Sequence, residues 1–148
     1  MHDYEIRQLR ERDRQGWEAL WSAYNSFYRH TPPDEVTEST FSRLCAQTDG
    51  FFGLLAVDSE GQPAAIAHAV LHPSTWTTGS YCYLEDLFVA NSARGSSVAR
   101  ALIEAVYAEA DRHGADRVYW KTQAYNAPAR SLYDQVAHLT SFVVYQRS

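Results

Sequence analysis

Cysteine is scarce in this 148-residue chain: Cys45 and Cys82 are the only two. They stand far apart in no metal-ligand pattern and cannot build the disulfide framework of a small secreted scaffold, so a reducing cytoplasm is the expected setting. Glycine and proline, with 7 and 5 residues, are too few for a collagen-like or low-complexity chain. No apolar run approaches the ~20 residues of a membrane span. The opening Met1-His2-Asp3-Tyr4-Glu5-Ile6-Arg7 lacks the apolar stretch of a signal peptide, so no membrane partner is expected. Basic residues form no stripe, and 13 Lys and Arg face 18 Asp and Glu for a net charge of −5. That balance disfavours nucleic acid, which is bound largely by neutralising phosphates. His68, His72, His113 and His138 lack metal spacing and read as surface or packing residues, so no metal is expected.

What is present is an ordinary globular mix, 45% hydrophobic and 21% charged, in a length that suits one domain over residues 1–148. Aromatic rings are dense at 14%, which argues for a packed core and an aromatic-walled pocket. Tyr4 to Leu9 reads as an opening strand. Trp17, Leu20, Trp21, Tyr24, Phe27 and Tyr28 recur at helical spacing, with Tyr24 and Tyr28 placed to face a pocket. Pro32 and Pro33 break that helix, and a second is expected from Thr37 to Ala46. Phe51–Val57 and Ala64–Leu71 flank a turn cluster and read as an antiparallel hairpin. Tyr81–Val89 is the strongest strand. Period-two geometry would set Tyr81, Tyr83, Glu85, Leu87 and Val89 on one face, with Cys82, Leu84, Asp86 and Phe88 opposite. A long helix follows from Val98 to the His113-Gly114 stop, then a strand at Val118–Thr122. A helix capped by Asn126 runs through Val136, and a last strand spans Phe142 to Gln146. The order β-α-α-β-β-β-α-β-α-β is mixed α/β.

Chemistry concentrates at two places. Arg94-Gly95-Ser96-Ser97 leads into the long helix, where unpaired backbone N–H groups suit a phosphate. Gly95 lets the backbone come close, two serines can donate, and Arg94 and Arg100 add charge. Neither the Gly-Lys-Ser/Thr core of a Walker loop nor the three-glycine dinucleotide spacing is present. In the second place Asn126 and Tyr133 lie seven positions apart, two helical turns, so both can share a face. A phenol so placed can protonate a leaving group.

Tyr83-Leu84-Glu85-Asp86-Leu87-Phe88-Val89, Arg94-Gly95-Ser96-Ser97-Val98-Ala99-Arg100, Tyr119-Trp120-Lys121-Thr122 and Asn126-x-x-Ala129-x-x-Leu132-Tyr133 together resemble the GCN5-related N-acetyltransferase (GNAT) superfamily, in its branch around the yeast histone and polyamine acetyltransferase Hpa2. The resemblance implies a splayed, mostly antiparallel sheet of six to seven strands with about four helices. It implies acetyl-CoA as cosubstrate, with the pyrophosphate on the amides of Gly95 to Arg100 and the pantetheine arm beside Leu87, Phe88 and Val89. Asn126 and Ala129 would meet the thioester end, Tyr133 would protonate the departing thiolate, and Glu85 would serve as base for the amine. Tyr24, Tyr28, Tyr83 and Glu85 would bind the acceptor. One departure stands out: Ser97 occupies the family's central glycine, where a Cβ can crowd the pyrophosphate.

The leading expectation is direct acetyl transfer to a primary amine of a small molecule or peptide: a polyamine, an amino acid or a lysine side chain. Asp34, Glu35 and Glu38, read as a loop beside the acceptor mouth, tilt this toward cationic small amines. A non-catalytic CoA-binding module is the alternative, to which Ser97 lends weight. A pure protein-interaction domain would leave the ordered motifs unexplained. Relatives of this kind commonly pair, so a homodimer through exposed rings or the final strand fits the resemblance.

Overall fold

Five strands form the sheet in the computed structural model, which describes residues 4–148. They are β1 (Glu5–Gln8), β2 (Phe51–Val57), β3 (Pro63–Pro73), β4 (Ser80–Val89) and β5 (Ala115–Tyr119), in the spatial order β1-β2-β3-β4-β5. All neighbours run antiparallel except β4 and β5, which are parallel. Four helices cover the sheet: α1 (Arg14–Phe27), α2 (Asp34–Ala46), α3 (Val98–Arg112) and α4 (Ala127–Val136). The mixed α/β, splayed architecture is the one expected, with five strands instead of six to seven. The missing strand is Phe142–Gln146. That segment has no ladder partner, and Phe142, Val143, Val144 and Tyr145 stand 65–95% exposed.

Period-two alternation divides β2 and β3 between two cores. Phe52, Leu54, Ala56, Ala65, Ala67 and Ala69 face Val98, Leu102, Ile103, Val106 and Ala110 of α3. The alanine row on β3 lets α3 sit close to the sheet, where its apolar stripe is buried at ~25 cal/mol per Å². On the other face Leu55, Val57 and Ile66 pack under Trp17, Leu20 and Trp21 of α1 and Phe41 and Leu44 of α2. Trp21 donates its indole N–H to Thr37 Oγ1 at 3.0 Å, tying α1 to α2.

The α1 entry is pinned by charge. Arg7 donates to both oxygens of the buried Asp13 at 2.7 and 2.8 Å, and the Arg10 amide adds a bond at 2.9 Å. These bonds hold the Asp13 carboxyl below the usual carboxylate range, the Arg7 guanidinium first among the causes. Helix α2 begins at Asp34, three residues earlier than expected, directly after Pro33. Asp34 and Glu35 therefore sit in a helical first turn, where negative charge meets the positive end of the helix dipole. Glu38 is bonded by Arg14, at 3.0 Å for one of the two contacts. The acidic acceptor loop expected there is thus a helix start with one of its carboxylates already paired.

Candidate active site

The site grows from one irregularity in β4. The β3–β4 register runs His68↔Asp86 and then Ala69↔Leu84, so Glu85 is an extra residue with no partner, a β-bulge. The bulge inverts the alternation beyond it. Cys82 and Leu84 join the α3 core, with Leu87 and Val89 packed against it, while Phe88 packs with the α1 core. Asp86, expected on the face of Cys82 and Leu84, instead meets His68 and Tyr24 on the α1 side. Leu87 and Val89 likewise part from Tyr81 and Tyr83. Glu85 is left exposed at the turn of the bulge.

Two strand ladders end at different places. β3 accompanies β4 to Val89, whereas β5 leaves it after Tyr83↔Tyr119. From Leu84 to Val89 one edge of β4 is therefore open, its N–H and C=O groups facing a wedge between the strands. This is the splay expected, and Leu87, Phe88 and Val89 lie along it.

The wedge leads to the start of α3. Gly95 has φ +81°, a left-handed conformation that L side chains rarely adopt, and a Cβ built there would meet nothing within 4 Å. Its glycine is required by the backbone, and the side on which a Cβ would stand is open. The first intrahelical bond, Ala101 N–H to Ser97 O at 3.0 Å, leaves the amides of Val98, Ala99 and Arg100 ahead of it. Ser96 is not a free donor, contrary to expectation: its hydroxyl donates to Ala93 O at 2.5 Å and accepts from Val98 N–H at 3.3 Å, capping the helix. Ser97 is exposed with φ −83°, so nothing in the backbone asks for glycine at that position. Arg94 folds back to Val89 O at 3.4 Å and over the Phe88 ring, and Arg100 bonds Glu104 at 3.2 Å and Gln135 at 3.1 Å. A glycine turn, open helix amides, flanking guanidinium groups and an open strand edge together suit a long ligand carrying phosphates.

Asn126 caps α4 as expected, its Oδ1 accepting from Ala129 N–H at 3.4 Å. One turn beyond Ala129, Tyr133 is half-buried, edge-on to Trp120 at 5.4 Å. Burial, followed by the Tyr28 phenol just past α1, pushes its pKa above the ordinary value of 10. A phenol in that state stays protonated at neutral pH and can serve as an acid. Tyr24 lies edge-on to Tyr28 at 5.1 Å and to Phe88 at 5.9 Å. Its pKa is raised by burial, then by Asp86, with lesser effects from Tyr28 and Glu85. Tyr83 packs on Tyr119 at 4.9 Å and is raised by burial and by Glu85. Tyr24, Tyr28, Tyr83, Glu85 and Tyr133 thus gather around the wedge.

Four residues of this region were not among the expected site residues. The indole of Trp17 donates to His68 Nε2 at 2.9 Å, and His68 Nδ1 meets Asp86 Oδ2 at 2.9 Å. His68 is 3% exposed, a core residue with two partners. The signal was a histidine inside an apolar strand, since a buried polar group requires partners. The fourth is Lys121, the one lysine of the chain, with Nζ 5.6 Å from the Tyr83 ring centroid. Among the described residues no group of three or more His, Cys, Asp or Glu could hold a metal ion.

This wedge-and-helix arrangement is that of an acyl-transfer fold, and the acetyltransferase (GNAT) family model matches residues 16–138. The chain belongs to that family and is an acetyltransferase. Among characterised relatives, the D-amino-acid N-acetyltransferase HPA3 of Saccharomyces cerevisiae (strain ATCC 204508 / S288c) is 38% identical over 144 residues, covering 97% of this chain and 89% of the relative. The fold also matches the aminoglycoside N-acetyltransferase AAC(6')-Iy in complex with CoA, with a TM-score of 0.84 at 20% identity over 100% of this chain and 96% of that one. It matches the ribosomal-protein-alanine N-acetyltransferase of Brucella melitensis biovar Abortus 2308, with a TM-score of 0.79 at 20% identity over 99% of both chains.

Proposed function

We propose that the chain transfers the acetyl group of acetyl-CoA to the primary amine of a small acceptor, an amino acid before other amines, by direct transfer in a ternary complex. The observation that carries this reading is the open β4 edge between the Gly95 turn and the aromatic wall of α1, with Tyr133 beside it. Gly95 and the amides of Ala99 and Arg100 would take the pyrophosphate, and the edge from Leu87 to Val89 would pair with the pantetheine amides. Asn126 and Ala129 would border the thioester end. The similarity to HPA3 supports an amino-acid acceptor. So does Lys121, which has no carboxylate partner among the described residues and stands near Tyr83, whose phenol meets Glu85. An α-amino acid carries both charges, its ammonium matching a carboxylate and its carboxylate matching Lys121.

The proton balance follows from these residues. An alkylammonium must lose a proton before it can attack, and Glu85, at the bulge, takes it directly or through water. The neutral amine attacks the thioester carbon, N–H groups of the open edge stabilise the developing negative oxygen, and as the C–S bond breaks the nitrogen releases its second proton to solvent. Tyr133 gives its proton to the departing thiolate and recovers one from solvent. No step requires a metal. The reading places the protein in the cytoplasm, where Cys45 and Cys82, both free, stay reduced. It includes a homodimer in which the exposed Phe142–Tyr145 segment is covered, checked by sedimentation.

The test is release of free thiol from acetyl-CoA with D- and L-amino acids, diamines, polyamines, aminoglycosides and lysine peptides. Turnover is expected first with amino acids. Turnover with polyamines or peptides alone would move the acceptor class, and none with any amine would overturn the reading.

A further inference from the structure

Asp86 carries a charge that nothing in the fold balances. An indole N–H only donates, so His68 Nε2, 2.9 Å from Trp17, must be the accepting nitrogen. The ring proton is then on Nδ1 and is donated to Asp86 Oδ2 at 2.9 Å. His68 is held neutral by this arrangement and is no counter-ion. Among the described residues no arginine or lysine pairs with Asp86. Its side chain is 15% exposed and meets the phenol of Tyr24, whose ring lies edge-on to those of Tyr28 and Phe88. A carboxylate has about four acceptor sites, and His68 and Tyr24 fill two of them. An anion partly out of water without a cation is costly. The same anion beside the Tyr24 ring and its neighbours suits a small cation, which aromatic ring faces also attract.

We propose that Asp86 is the anchor for the protonated amino group of the acceptor, in a cation subsite walled by Tyr24, Tyr28 and Phe88, and that His68 and Trp17 are positioning residues that aim the carboxylate. The proposal rests on the amine-acceptor reading above and assigns binding to Asp86, leaving proton removal to the exposed Glu85. The bulge makes this division geometric. By adding one residue, it turns Asp86 onto the side of α1 and leaves Glu85 outside the ladder. Trp17 needs no substrate contact for its part, since its indole fixes which nitrogen of His68 carries the proton.

Nitrogen-15 NMR of the free protein tests the network without turnover. His68 is expected to show an unprotonated Nε2 and a protonated Nδ1 at neutral pH, and the reverse pattern would overturn the proposal. Titration with D-phenylalanine should shift the His68 resonances in the wild type and leave them in place in Asp86→Asn. Equal shifts in both would refute the anchor. In steady state, Asp86→Asn should raise the amine KM about ten- to a hundredfold, the scale of a lost hydrogen bond to a charged group, with acetyl-CoA affinity unchanged. Glu85→Gln should lower kcat instead. His68→Gln supplies an accepting oxygen to Trp17 and an N–H to Asp86, so it should keep KM near the wild-type value, whereas His68→Leu should raise it. Equal damage from both substitutions would refute positioning. Should His68→Leu fail to fold, Trp17→Phe takes its place and must alter the His68 nitrogen signals. A wild type that binds D-phenylalanine through Asp86 yet acetylates no amine would overturn the function and leave this site standing.

Discussion

Replacing Tyr133 by phenylalanine removes one hydroxyl and keeps the ring. The ring is what packs: it stands edge-on to Trp120 at 5.4 Å and lies against the α3 core. The hydroxyl makes no hydrogen bond with the described residues, so deleting it should change unfolding free energy by no more than ~0.5 kcal/mol. Its chemical contribution is different in scale. Burial and Tyr28 raise its pKa, so the proton stays in place throughout the neutral range. Losing a positioned acid should cost turnover about 10- to 10³-fold, equivalent to ~1.4–4 kcal/mol on the barrier. The assay is thiol release followed with a chromogenic reagent. The protein's own Cys82 interferes little, since burial pushes its pKa up to about 11 and the thiol reacts only as thiolate. Tyr28→Phe is the control for the neighbouring phenol. Turnover by Tyr133→Phe within twofold of wild type between pH 6 and 9, on a folded protein, would refute the role of the hydroxyl. The pKa shift also carries a sign: a tyrosine raised in the fold adds stability below its unfolded value. That contribution is lost as pH rises through the folded value, so Tyr133→Phe should soften the alkaline end of the stability curve.

Lys121→Gln should raise KM about tenfold for D-phenylalanine and leave it unchanged for phenethylamine, which lacks the carboxylate; equal effects on both would remove Lys121 from recognition. Ser97→Gly removes an exposed Cβ from the helix start and should tighten CoA about fivefold by calorimetry, the equivalent of ~1 kcal/mol of relieved crowding. Weaker binding would show that the Ser97 hydroxyl is a ligand. Asp13→Asn breaks a bonded pair whose carboxylate is buried and should cost ~2–4 kcal/mol in urea unfolding. Because the Asp13 pKa is lowered in the fold, its contribution is present above the ordinary carboxylate value. It is lost as pH falls through the folded value, so the variant should lack that part of the acid-induced decline.

Helices α1 and α3 were legible because their apolar spacing is a local property, and the strands over residues 51–89 because they are long and bounded by turns. The two faces of β4 were not legible beyond Leu84. One unpaired residue inverts the alternation, and no single-strand pattern announces where a bulge will fall. This is why the alternation sets Asp86 on the face of Cys82 and Leu84, whereas in the fold it meets His68 on the α1 side. β5 was expected at Val118–Thr122, yet its ladder ends at Tyr119, because a strand is defined by its neighbour and β4 has splayed away. Phe142–Gln146 has the composition of a strand and no edge to join. The start of α2 was misplaced for a simpler reason: Pro33 followed by Asp34 and Glu35 is itself a helix-entry signature. The sequence does not separate Ser96 from Ser97, although only the first reaches back to Ala93 and forward to Val98.

The open edge of β4 is made of main-chain groups, and this changes what mutation can do to it. Every residue except proline supplies the same N–H and C=O, so the identities at Leu87 and Val89 are set by the α3 core behind them and not by what lies in front. A surface written in backbone is nearly blind to sequence drift. Cores and helices can be exchanged while the strand path persists, which accords with a shared fold at a TM-score of 0.84 between chains only 20% identical. What such a slot cannot survive is a change of path. A proline between Leu84 and Val89, or an insertion that lets β5 follow β4 to its end, would erase it without touching any side chain in the site.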